Sequence, residues 1–299
     1  MLNVEKAGLP PAGRRPTPRP NHSAPQVIRR GDAVHHVWGD REAGFVTDRV
    51  ISSTRQLHVL EYDLPPGGEF RHSAMNQTVF GGDVLYYVLE GELVLANPES
   101  GEVVRAPAGT GRLFHRGTWH NGFNPGSTSL RVLEFFSPPP ARGTASDYSR
   151  TQPPLDEVIY HDPRWDGRWP EAREEKLRAT SFHDASEHGA LLSMRDSLPS
   201  HLVATLVDTP FLRVVEGTVQ PGHVEEFAPV AKESLIYTLE GELWVDVWSE
   251  EQGYQATSVL LAGDAIFLPV GCAERVLVRS ATPARYLRGS GDVPEDWTP

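Results

Sequence analysis

Apolar and aromatic residues in this chain gather in short runs bounded by Gly, Pro, Asn and Ser. The runs Ala33–Trp38, Gln56–Leu64, Val84–Ala96, Val103–Ala106 and Leu130–Phe136 have the composition of half-buried antiparallel strands. Pro138-Pro139-Pro140 ends this series; strands resume near Leu202 and run to Arg288. One segment, Pro170–Leu177, reads as a short helix with proline in its first turn. The expected fold class is all-β.

The two strand-rich stretches are copies of one another. Val59–Gly67 answers Val214–Gly222, Asp83–Leu93 answers Glu233–Leu243, and Gly109–Asn124 answers Gly263–Val278. Three matches in the same order, with small indels between them, mark an internal duplication. The expected domains are a flexible Pro/Arg-rich arm at 1–30, an N-terminal domain at 31–140, a linker at 141–195 and a C-terminal domain at 196–299. The arm carries six prolines within residues 1–26 and no apolar period. Trp165 and Trp169 in the linker are expected to pack against a sheet surface.

Composition narrows the function. At 299 residues each half is large enough to bury its own core. A net charge of -12 argues against nucleic acid or an anionic membrane as partner, because both call for a basic face. The single cysteine, Cys272, permits no internal disulfide and fits a reducing cytoplasm. No apolar run approaches the ~18 residues of a membrane helix. No phosphate-binding loop, Gly-x-Ser-x-Gly turn or cysteine pair is present. His35-His36 cannot readily share a metal, since neighbours on a strand point to opposite faces.

One spacing is informative. In the second half Gly222, Ala228, Val230, Ser234, Gly241, Gly263, Pro269, Gly271, Glu274 and Val278 follow one another at the intervals of two short motifs; in the first half Gly109, Gly117, His120 and Asn124 do so. On these residues the chain resembles the cupin superfamily, specifically the bicupins, loosely those of the gentisate dioxygenase type. The resemblance implies two tandem jelly-roll β-barrels joined by a short helical or irregular linker. It also implies that Ala228, Val230, Ser234 and Glu274 occupy the metal-ligand positions of the second barrel, a set that suits no metal. Glu274 is expected to form a salt bridge with a base such as Arg213 or Arg275.

In the first barrel His120 falls on a histidine ligand position, while the other motif is disturbed around His72. If His72 takes the second histidine position, Phe70 replaces the first and Gln77 falls where a carboxylate would sit. A metal there, Fe(II) or another divalent transition ion, would be held by His72 and His120 with a third donor from Gln77, Asp83 or His115. Alternation along the strand turns Val84, Tyr86 and Val88 towards the cavity and Asp83 outwards. Catalytic candidates are therefore His120, His72 and Tyr86. Asn124, Val84 and Val88 line the first pocket, and Ser234 and Glu274 the second.

Three functions stay open: a metal-dependent dioxygenase acting on an aromatic or carboxylate-bearing metabolite, a metal-free isomerase or cyclase with His120 as base, and a non-catalytic binding protein. The expected partner is a small molecule, and the resemblance allows a homodimer.

Overall fold

A computed structural model describes residues 18–73, 76, 78–139, 159–160, 181–185, 198–250 and 253–295. The expected helix, Trp165, Trp169 and Gln77 lie outside them. Described secondary structure is almost wholly β, with a single three-residue 3-10 turn at Arg30–Asp32.

Each half places its described strands in two facing, mainly antiparallel sheets, as in a jelly roll. In the first half a seven-stranded sheet runs in the spatial order His183–Asp184, Gly111–Phe114, Asp83–Glu90, Leu130–Ser137, His58–Leu64, Gly44–Ser53, Val34–Asp40. Facing it is a sheet ordered Ile159–Tyr160, Glu102–Pro107, Glu92–Ala96, Asn121–Phe123, Glu69–Phe70, in which 159–160 pairs parallel to 102–103. The second half repeats the plan. Gln26–Ile28, Ala265–Leu268, Ser234–Glu240, Ala284–Gly291, Leu212–Val219 and His201–Asp208 form one sheet. Ala228–Pro229, Ala273–Leu277, Glu242–Ser249 and Tyr254–Leu261 form the other.

The repeat has a backbone cause. The expected run Val84–Ala96 is two strands turning at Gly91, whose φ is 82°; its counterpart Gly241 turns at 75°. Both lie in the left-handed region, where a side chain would be strained.

The end of the arm is held against the second half. Gln26–Ile28 pairs with Ala265–Phe267 of the second half, and Arg29 binds Asp264 at 2.7 Å. The apolar Val27 and Ile28 explain this, since they pack on core clusters. Of the linker, Phe182 is buried in the first half's core and His183–Asp184 extends its large sheet.

The two large sheets bury their outer faces against each other. Val59, Leu85, Leu133 and Phe135 of the first half join Val214, Leu235, Tyr237 and Leu287 of the second in one cluster. Gly289 is required there, because a Cβ at that position would stand 2.3 Å from the ring of Phe135. Within the cluster Glu61 accepts from Tyr237 at 2.7 Å and pairs with Arg49 at 3.1 Å and Arg131 at 3.2 Å.

Strand alternation then decides what faces the interior of the first half. Residues 59, 61, 133 and 135 are used for docking the halves, so 58, 60, 62, 132, 134 and 136 turn inward. Three of these inward residues, His58, Tyr62 and Glu134, carry polar groups.

Candidate functional site

A cavity of about 80 Å³ opens inside the first half. Its apolar wall is Trp38, Val46, Leu60, Phe70, Phe80 and Phe136, and its polar groups are Asp48, His58, Tyr62, Thr78, Tyr86, His120 and Glu134. Among the described residues no lysine or arginine lines it.

Strand pairing sets the polar groups side by side. Glu134 lies opposite Leu60 on one neighbouring strand and Tyr86 on the other, and Asp48 lies opposite Tyr62. Neither oxygen of Glu134 has a hydrogen-bond partner among the described residues. Burial pushes its carboxyl up to about 8, and the charge of Asp48 adds to the rise. Asp48 is itself raised by burial, opposed by His36, whose Nδ1 donates to Asp48 Oδ2 at 2.9 Å. Among the described residues the buried Tyr62 hydroxyl and His58 Nδ1 have no hydrogen-bond partner, and burial pulls the His58 pKa down to about 3.

His120 is fully buried between Phe80 and Phe114, with ring centroids 5.0 and 4.5 Å away. Its Nδ1 lies 3.2 Å from the carbonyl of Thr118 and its Nε2 lies 3.2 Å from the Tyr86 hydroxyl. A carbonyl only accepts, so Nδ1 carries the proton and Nε2 receives the hydroxyl of Tyr86. Burial brings the His120 pKa down to about 3, keeping the ring neutral.

The expected partner of His120 is placed differently. His72 lies outside the cavity lining, its ring tilted against Trp119 with centroids 4.4 Å apart. Its Nδ1 accepts the backbone N–H of Thr78 at 2.8 Å, which leaves the proton on a buried and unpartnered Nε2. Burial lowers its pKa to about 4. Neither histidine belongs to any group of three metal donors among the described residues. Within the described residues the lone pairs of these two histidines are engaged by Thr78 and Tyr86, and the expected third donor Gln77 lies outside those residues.

Other expectations are corrected. Asn124 does not line the cavity: its Nδ2 donates to the carbonyls of Leu64, Pro65 and Thr128, and its Oδ1 accepts from Gly126. Val84 and Val88 face inward as expected, but pack in the core without reaching the cavity wall. Asp83 points away from the cavity yet is buried, bound to His115 and to the N–H of Arg116. In the second half Glu274 pairs with Arg288 at 2.6 Å, not with Arg213 or Arg275, which bind Asp208 and Asp246. Ser234 accepts from the same Arg288 at 3.1 Å, so a guanidinium joins the two polar positions of the degenerate motif.

The motif-based reading missed Asp48, His58, Tyr62 and Glu134, because motif spacing concerns other strands. In the structure each carries a polar group in the inward phase of its strand, a phase that sequence alternation alone leaves open. His35 and His36 do point to opposite sides, His35 to solvent and His36 to Asp48.

The sequence matches no family model and no curated protein. In structure the chain is similar to a deletion mutant of Bacillus subtilis oxalate decarboxylase, with TM-score 0.64 and 14% identity over 92% of this chain and 79% of that one. It is also similar to the formate complex of Lactobacillus farciminis oxalate decarboxylase, with TM-score 0.62 and 15% identity over 88% and 85%. The fold is that of a bicupin. A further Bacillus subtilis oxalate decarboxylase structure, at TM-score 0.59 and 14% identity over 92% and 79%, concerns that enzyme's Mn(II) centres. At such identities the likeness carries the bicupin architecture and no residue role. Among the described residues no helix is long and apolar enough to cross a membrane.

Proposed function

We propose that the first half of this bicupin is a metal-independent enzyme that moves a proton on a small organic molecule, as an isomerase or cyclase does. The observation that carries this reading is Glu134, a carboxyl without hydrogen bonds in an aromatic cavity and poised near pH 8. A group with that pKa can both give and take a proton near neutrality. Tyr62 is placed to donate to a carbonyl oxygen as negative charge develops there, since its hydroxyl has no other partner among the described residues. The Tyr86–His120 pair holds the wall beside Glu134 in one orientation.

Cavity charge indicates the ligand class. A dianion such as oxalate, the substrate named for the structural neighbours, would meet Asp48 and two histidines held neutral by burial, with no lysine or arginine among the described lining residues to offset its charge. An uncharged carbonyl compound with an unsaturated or aromatic part suits the ring-lined cavity better. A dioxygenase at His72 and His120 would need two imidazole lone pairs that converge, and both are already accepting from Thr78 and Tyr86.

Proton exchange can be read whatever the product is. Incubating the protein in D₂O with a panel of small carbonyl compounds should reveal, by NMR, deuterium entering a carbon next to the carbonyl. Glu134→Gln should slow that exchange by about 10²–10⁴-fold. Tight binding of a compound with no exchange and no conversion would favour a binding protein instead.

A further inference from the structure

The second half contains a donor group that no motif position explains. His201 begins the strand His201–Asp208, and His223 and Glu225 follow the turn at Pro221-Gly222. One ligand atom from each lies within 4.8 Å of the other two. We propose that His201, His223 and Glu225 bind a divalent transition-metal ion, through His201 Nδ1, His223 Nε2 and a carboxylate oxygen of Glu225.

Three features support this. The first is the donor geometry. His201 Nδ1 hydrogen-bonds Glu225 Oε1, and His223 Nε2 stands 3.2 Å from the same oxygen without completing a hydrogen bond. Donors held at ~2.0–2.2 Å around a tetrahedral ion are separated by roughly 3.3 Å. Two imidazoles and a carboxylate are a set that Zn²⁺ and its first-row neighbours accept, with a position left for water.

The second is what holds the outer nitrogens. His201 Nε2 lies 2.8 Å from the Tyr286 hydroxyl, and His223 Nδ1 lies 2.7 Å from Ser200 Oγ. A hydroxyl can donate or accept. Each imidazole can thus turn a proton towards Glu225 when empty, or a lone pair towards an ion when loaded, and its outer nitrogen keeps a partner in both states.

The third is rigidity with access. Gly222 N–H donates to Val278 O at 2.9 Å, Val278 N–H returns to His223 O at 3.1 Å, and Gln220 N–H donates to Ser200 O at 2.8 Å. The two histidines are buried, while the side chain of Glu225 is 23% exposed, giving an ion a way in. This place is distinct from the degenerate motif positions, two of which, Ser234 and Glu274, bind Arg288.

The test is titration of the full-length, chelator-treated protein with Zn(II) and with Co(II), followed by calorimetry, by the visible spectrum of Co(II) and by melting temperature. One equivalent should bind, raise the melting temperature and give the Co(II) spectrum of a low-coordinate N/O site. Glu225→Gln, which keeps the side-chain shape, and His223→Ala should abolish one-to-one binding. Tyr286→Phe should weaken it about 10–100-fold. His120→Phe, in the other half, should leave it unchanged. Absence of saturable binding, binding that survives Glu225→Gln, or binding lost in His120→Phe would each overturn the assignment.

Discussion

Glu134 is a group whose environment opposes its charge, and this has a thermodynamic sign. Its folded pKa, about 8, exceeds the ordinary carboxyl value of 4.5, so the folded state holds its proton more tightly than the unfolded state. Stability contributed by the neutral form is fully present below pH 4.5 and is lost as pH rises through 8. Glu134→Gln removes this dependence. Chemical denaturation should show the variant more stable than the parent at pH 9, by up to several kcal/mol, and close to it at pH 4.5. A variant less stable at pH 9 would mean that Glu134 is paired. Asn124 makes the opposite case, since it satisfies four backbone groups at one turn. Asn124→Ala should cost about 2–4 kcal/mol in urea unfolding without changing any ligand affinity.

At the scale of the strand, much of the fold was legible. Runs of Val, Leu and aromatic residues between turn residues located the strands, because burial of alternate side chains is what selects those residues. The duplication was legible for the same reason: turns such as Gly91 and Gly241 need a left-handed backbone, and this preserves glycine in both copies. The candidate site was legible only in part. His120 and Tyr86 line the cavity, but His72 does not, because the Thr78 N–H captures its Nδ1, a contact that motif spacing does not encode. Glu134, Tyr62 and Asp48 were hidden for another reason. Which phase of a strand faces inward depends on the docking of the two halves, and sequence alternation alone leaves that choice open. His201, His223 and Glu225 come together through pairing of Val219 with His201 and of chain near 225 with 276, contacts that motif spacing does not encode.

At the scale of the whole molecule, the halves share a core whose polar centre is Glu61. Burial alone would raise its carboxyl, but the Tyr237 hydroxyl, Arg131, Arg49 and Arg30 hold it below the ordinary value. That stability is present above pH 4.5 and disappears as pH falls through the lowered pKa. Glu61→Gln should therefore cost about 2–3 kcal/mol at pH 7, less than a fully isolated buried pair, because Arg49 keeps Asp63 and Arg131 keeps Glu90. Calorimetry should also show both halves losing stability together, because one hydrophobic cluster serves both. Two separated transitions would mean that the halves fold independently.

The central claim is that the cavity of the first half holds a carboxylic acid poised for proton transfer. The most direct measurement is an NMR titration of the side-chain carboxyl carbons in ¹³C-labelled protein, comparing the parent with Glu134→Gln. One glutamate should titrate near pH 8, and that resonance should vanish in the variant. If every glutamate titrates below pH 5.5, the cavity does not shield Glu134 and the proposed chemistry has no acid to perform it.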